Sequence, residues 1–257
     1  MLINRYLIVF MLLFIFASCE DKESSSKKEP ELTAKERAEQ RKQDSIQHYR
    51  DSLFKARKAE LKEEHEVTKI EKNPMFPIAQ EELIPTLTKY GKENPETRIR
   101  IKTEYGNIDV QLYRDTPLHR ANFIMLVKNG YFDDTVFHRV APGFVIQGGN
   151  SDSQSTATMR GQVGDYLIPN ELEPGHTHTY GAFSMAKYAE QNISKASSPF
   201  EFFIVMAKNG TPHLNDEHTV LGRVVSGMDV AEKISQVKTG ESEWPIRDIH
   251  MDIEILD

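Results

Sequence analysis

Residues 96–257 of this 257-residue chain are predicted to fold as a mainly β domain, an antiparallel barrel with two helices. Three observations point there. Short runs of alternating apolar and polar residues recur, bounded by Gly, Pro, Asn or Asp. Two stretches carry helical texture. No strand–helix–strand rhythm is present, which argues against a parallel α/β sheet. A stretch of this length can bury a substantial core.

The elements follow in order. Arg98–Thr103 and Ile108–Tyr113 alternate around Tyr105-Gly106-Asn107, a hairpin signal. Pro117–Asn129 reads as a helix. Asp115 or Thr116 can cap it, Pro117 suits its first turn, and Gly130 ends it. Val136–Val140, Phe144–Gln147, Ala182–Ala186, Phe202–Ala207 and Thr219–Val224 read as short strands. Met228–Val237 forms the second helix. In Ile249–Leu256, the residues Ile249, Met251, Ile253 and Ile255 alternate with polar ones, predicting a closing strand.

The upstream third has a different texture. Residues 1–18 carry one early cation and an uncharged apolar run from Tyr6 to Phe16, too short to span a bilayer. Ala17-Ser18-Cys19, followed by polar Glu20–Glu23, resembles a bacterial lipoprotein signal. The resemblance implies that Cys19 becomes the acylated first residue of a chain anchored to a membrane of the cell envelope, on the periplasmic or outer-membrane side. Residues 19–33 are expected to form a flexible tether. Residues 34–72 lack Gly and Pro and are dense in helix formers of both charges, predicting a charged helical stalk. Ile46, Tyr49, Leu53 and Ala56 fall at coiled-coil spacing, but Glu60 and Glu63 break the series. A solvated single helix or partly disordered spacer is the expectation. Residues 73–95 hold Pro74, Pro77, Pro85 and Pro95 and read as linker, with apolar residues able to dock on the domain that follows.

Charge and cysteine usage narrow the function. Residues 1–95 hold 17 basic and 17 acidic residues; residues 96–257 hold 15 and 22. No segment has the basic excess of a nucleic-acid binder. Cys19 is the single cysteine, so there is no disulfide framework or cysteine zinc site. His176-Thr177-His178 has metal-like spacing, but it lacks acidic or cysteine partners at recognisable spacing, and no metal is expected.

The chemistry-bearing stretch is Phe137-His138-Arg139-Val140-Ala141-Pro142-Gly143-Phe144-Val145-Ile146-Gln147-Gly148-Gly149-Asn150. Period-2 arithmetic puts Arg139 and Gln147 on one side of a continuous strand, but the Pro142-Gly143 turn leaves that register open. The stretch resembles the cyclophilin family of peptidyl-prolyl isomerases. So do Phe183-Ser184-Met185-Ala186, Glu201-Phe202-Phe203-Ile204 and His213-Leu214-Asn215-Asp216-Glu217-His218-Thr219-Val220-Leu221-Gly222, in that order. Together they cover residues 98–257 and exclude the stalk.

The resemblance implies a closed eight-stranded antiparallel barrel capped by two helices. It matches Arg139 to a catalytic arginine and Gln147 to the amide that steadies it. Phe144, Val145, Phe203 and Leu214 match a proline pocket. Ala186 and Lys187 match the groove lining, the latter through its backbone, and His218 matches the pocket rim. The expected activity is cis–trans isomerisation of X–Pro bonds in exported proteins by a monomeric domain without a cofactor. Three positions depart from the family. Glu201 replaces a Gln and can pair with Arg139 or repel acidic substrates. His213 stands where cyclosporin-sensitive members carry Trp. Tyr188–Pro199 replaces a Gly-rich segment. These departures, with the stalk, motivate an alternative: a catalytically weak proline-peptide-binding or scaffold module anchored to the envelope.

Overall fold

The computed structural model describes residues 75–188 and 194–257, together with eight helical positions between residues 41 and 56. The residues read as signal peptide and tether, and most of those read as stalk, lie outside the described residues. Within the stalk, Arg41, Lys42, Ser45, His48, Tyr49, Ser52, Lys55 and Ala56 are helical.

Eight strands form one antiparallel sheet: β1 (Arg98–Thr103), β2 (Gly106–Leu112), β3 (Val136–Ala141), β4 (Val145–Asn150), β5 (Ala182–Met185), β6 (Phe202–Val205), β7 (Val220–Ser226) and β8 (Asp252–Ile255). Their spatial order is β3-β4-β6-β5-β7-β2-β1-β8. Alternating side chains give the sheet two distinct faces. On β6, Phe202 and Ile204 enter the main core, whereas Phe203 and Val205 join a smaller cluster on the other face. The main core also takes Ile99 and Ile101 from β1 and Phe123, Ile124 and Leu126 from a helix beneath. Each such fully buried side chain contributes about 1.5–3 kcal/mol of burial free energy.

The expectation of a closed barrel is corrected. The sheet is curled but open, and its edge strands β3 and β8 share no ladder. They meet at one isolated bridge, Val136 with His250, immediately before β8. The reason lies in a change of partner along the last segment. The Phe137 amide donates to the Ile249 carbonyl at 2.9 Å. Asp252–Ile255 instead pair with β1. The predicted strand Ile249–Leu256 is therefore two short pieces serving opposite edges.

Among the described residues from 75 onward, four α-helices accompany the sheet: α1 (Leu83–Glu93), α2 (Pro117–Lys128), α3 (Gln154–Val163) and α4 (Met228–Ser235). Two were expected. α1 falls inside the Pro-containing linker, so that reading is corrected for residues 83–93. Pro85 is tolerated because it sits in the first turn, where backbone N–H groups lack partners in any case. Leu83, Leu87 and Gly91 line one face and are buried. A Cβ on Gly91 would sit 3.0 Å from the Ala121 Cβ, so glycine permits the close approach of α1 to α2. Arg120 then crosses from α2 to donate to the carbonyls of Gly91, Asn94 and Glu96 and caps the C-terminus of α1.

The cap of α2 is also corrected. Thr116 makes no capping hydrogen bond. The Glu171 carboxylate, 53 residues ahead of Leu118, accepts from the Leu118 and His119 amides, each at 3.0 Å. It also binds His119 Nδ1 at 2.6 Å, while His119 Nε2 lies 2.9 Å from Ser197 Oγ. His119 and Ser197 are fully buried, which makes this serine–histidine–glutamate chain a structural strut.

Candidate functional site

The smaller cluster lines an open hollow of about 160 Å³ on the outer face of the sheet. Its floor and apolar walls are Phe144, Val145, Phe203, Leu214 and Ala186. Arg139, Gln147, Lys187 and His218 bring polar groups to the same hollow. Nine of the eleven residues singled out by sequence as catalytic or substrate-binding thus meet in one place. Glu201 and His213 lie just outside it.

The open question of register is resolved by the ladder: Arg139 sits directly opposite Gln147. A bulge between Phe137 and Arg139 re-aims the strand just before the arginine. The turn after it is closed by the Phe144 amide on the Ala141 carbonyl at 3.0 Å. Gly143 has φ of 72° at the third position, the conformation that a Pro-Gly turn requires there. This turn lifts Phe144 over the hollow, with the Arg139 guanidinium carbon 5.9 Å from its ring centre.

Arg139 has a partner that the sequence did not reveal. Its Nε donates to Glu243 Oε2 at 2.7 Å, across 104 residues of chain. The expected pairing of Glu201 with Arg139 is therefore corrected. Glu201 accepts from Gln147 Nε2 at 2.9 Å and from Arg160 Nη2 at 3.0 Å, and it lies 3.4 Å from His138 Nε2. Burial alone would raise the Glu201 carboxyl, but His138 and Arg160 outweigh it and hold the group at about 2. Arg160 comes from α3 and also donates to the Tyr131 hydroxyl at 2.9 Å. The Gln147 amide is thus itself held by a partly buried ion pair. No local signal marks Arg160: α3 is polar, with only Thr156 and Val163 buried.

Behind Phe203 stand two histidines. The His178 ring stacks on it at 5.8 Å, and the His218 ring meets it edge-on at 5.3 Å. Burial pushes His218 down to about 4, helped by the nearby charges of Lys187 and His178. It is therefore neutral at pH 7. Its Nδ1 lies 3.1 Å from the Met185 carbonyl, which assigns the proton to Nδ1 and leaves Nε2 as an acceptor. Burial likewise lowers His178.

Lys187 has a side-chain partner as well. Its side chain is only 4% exposed and its Nζ binds Glu217 at 2.7 Å. His213 stacks on Phe144 with ring centres 5.8 Å apart. Of the Tyr188–Pro199 segment, residues 189–193 lie outside the described residues. Ser197 pairs with Ile168, and the Ser198 amide donates to the Ala186 carbonyl at 2.9 Å, which ties this edge to the hollow.

The family described as cyclophilin type peptidyl-prolyl cis-trans isomerase/CLD matches residues 98–254. This chain belongs to the cyclophilin family. Among curated cyclophilin relatives, peptidyl-prolyl cis-trans isomerase-like 1 of Gibberella zeae is 36% identical over 157 residues, 60% of this chain and 90% of that protein. A peptidyl-prolyl cis-trans isomerase of Acinetobacter baylyi is 38% identical over 149 residues, covering 56% and 74%. Peptidyl-prolyl cis-trans isomerase-like 2 of Rhizopus delemar is 38% identical over 162 residues, but the match spans only 29% of that longer protein. A crystal structure of a Cryptosporidium parvum cyclophilin type peptidyl-prolyl cis-trans isomerase superposes with a TM-score of 0.53 at 29% identity, covering 63% of this chain and 98% of that one. A second structure of that protein, in the presence of the dipeptide Ala-Pro, gives 0.52 at 28% identity.

Proposed function

We propose that this cyclophilin isomerises X–Pro bonds of exported polypeptides, with the ring of the proline seated in the hollow and Arg139 acting on the imide nitrogen. Resonance holds an amide planar, and an X–Pro bond crosses a barrier of about 18–20 kcal/mol. No bond is made or broken, so the site needs no nucleophile or proton relay. It must bind the twisted amide more tightly than either planar form. In the twisted form the prolyl nitrogen regains its lone pair. A hydrogen bond from the Arg139 guanidinium stabilises that lone pair and opposes the resonance. The apolar walls hold the ring while the acyl side turns.

The magnitudes divide the work. A turnover near 10³ s⁻¹ needs a barrier of about 13 kcal/mol, roughly 6 below the uncatalysed value. One charge-assisted hydrogen bond contributes about 1.5–3 kcal/mol. The rest must come from the pocket and its fixed dipoles. The observation that carries this reading is a guanidinium and an apolar hollow in one site, with the arginine opposite Gln147. The relative whose structure was determined with Ala-Pro supports a prolyl ligand. A proline-limited refolding assay tests it: the protein accelerates the slow phase and Arg139→Ala slows it at least tenfold. No acceleration by either protein would favour the scaffold reading.

The lipoprotein-like Ala17-Ser18-Cys19 supports attachment to an envelope membrane through a lipid on Cys19. Labelling of the chain in a bacterial host by a radioactive fatty acid, abolished by Cys19→Ala, is the expected result. Equal labelling of both proteins would remove the anchor.

A further inference from the structure

We infer that Glu243 is a positioning residue for Arg139 and that the loop carrying it is built for that purpose. The inference rests on the catalytic reading of Arg139 given above.

Three observations converge. Glu243 binds the Nε of Arg139, the pocket's guanidinium, at 2.7 Å. A carboxylate on Nε fixes the plane of the guanidinium about its stem and leaves the two terminal amino groups as donors for a ligand. Second, the loop adopts a costly backbone. Ser242 and Glu243 both have φ of 62°, the left-handed region that residues with a Cβ rarely enter, and here two do so in succession. Third, the loop is closed on itself and then held against the strand that bears the arginine. The Gly240 amide donates to the Trp244 carbonyl at 2.8 Å and Thr239 bridges Pro245, which close the loop, and the Trp244 ring lies 5.6 Å from the ring of His138, the residue before Arg139.

Stability does not account for this arrangement. The side chains of Arg139 and Glu243 are 37% and 46% exposed, and exposed ion pairs stabilise proteins little. A strained turn that yields little stability yet sets a carboxylate on the pocket's arginine is accounted for by the orientation of that arginine.

The test is exchange NMR on an Ala-Pro peptide with the full-length protein and with Glu243→Ala, Glu243→Gln, Arg139→Ala and the Arg139→Ala/Glu243→Ala double variant. Glu243→Ala is expected to lower kcat about fivefold with KM unchanged, within the range for directly coupled neighbours. Glu243→Gln, which keeps an acceptor oxygen, restores most of the loss. In the Arg139→Ala background Glu243→Ala has no further effect. The Arg139 Nε–H resonance shifts in Glu243→Ala, which a purely structural loop residue would not produce. If Arg139→Ala lowers kcat and Glu243→Ala does not, or if the two losses multiply in the double variant, the positioning role is overturned. If Arg139→Ala itself leaves kcat unchanged, the catalytic reading fails first.

Discussion

Removing Arg160 should destabilise the fold, and removing the charge of Glu201 as well should repair part of the damage. The Glu201 carboxyl sits at about 2 against an ordinary 4.5. At about 1.4 kcal/mol per tenfold change in acidity, the partnered carboxylate stabilises the folded state by about 3 kcal/mol at neutral pH. The contribution is complete above pH 4.5 and is lost as pH falls towards 2, because the unfolded chain then binds the proton first. His138 and Arg160 share the effect. Arg160→Ala leaves a carboxylate whose side chain is 13% exposed with His138 and Gln147 as its remaining partners. It also removes the bond to Tyr131 and the cation over Phe200. A loss of about 2–3 kcal/mol follows, below the range for a fully enclosed pair because His138 and Gln147 stay. In thermal unfolding at pH 7 this is a fall of roughly 5–10 °C. Arg160→Ala/Glu201→Gln should recover about half of it, since a neutral amide needs no counter-charge. A double variant no more stable than Arg160→Ala would refute the assignment of the buried charge to this pair.

Three further outcomes are expected. His218, held at about 4 by burial against an ordinary 6.5, favours the fold fully above pH 6.5 and loses up to about 3 kcal/mol as pH falls towards 4; unfolding measured across that window should flatten in His218→Gln. Leu87→Ala, at a fully buried position of α1, should cost about 2–5 kcal/mol, and a fragment beginning at residue 96 should unfold at lower denaturant than one beginning at residue 75. Glu171→Ala uncaps α2 and strands the buried His119 ring, so a loss of about 2–3 kcal/mol is expected in urea unfolding, with Glu171→Gln milder.

The strands were legible because each puts alternate residues on two different faces, as Phe202 and Phe203 do. The helices α2 and α4 carried apolar residues and Gly at a boundary. α1 was hidden by Pro85 and the prolines around it, since a residue count does not tell Pro in a first turn from Pro in a helix interior. α3 was hidden for the opposite reason, having almost no apolar face. The openness of the sheet was not legible, because Ile249–Ile255 keeps one alternation while its hydrogen bonds change partner. At the site, resemblance to the family named the hollow's residues, and composition alone did not. Partners from distant loops were out of reach: nothing near Arg139 in the chain points to Glu243, and nothing near Glu201 points to Arg160. Charge complementarity across 104 residues has no sequence period to betray it.

The central claim is that the Arg139 guanidinium lowers the energy of the half-rotated imide. Its most direct measurement is the on-enzyme interconversion rate of a bound Ala-Pro peptide, read from NMR line shapes at saturating enzyme, for the native protein, Arg139→Lys and Arg139→Ala. Interconversion should slow by about 10- to 100-fold in Arg139→Ala, the equivalent of one charge-assisted hydrogen bond, with peptide affinity changed far less. Unchanged interconversion in Arg139→Ala, with affinity lost instead, would contradict the account.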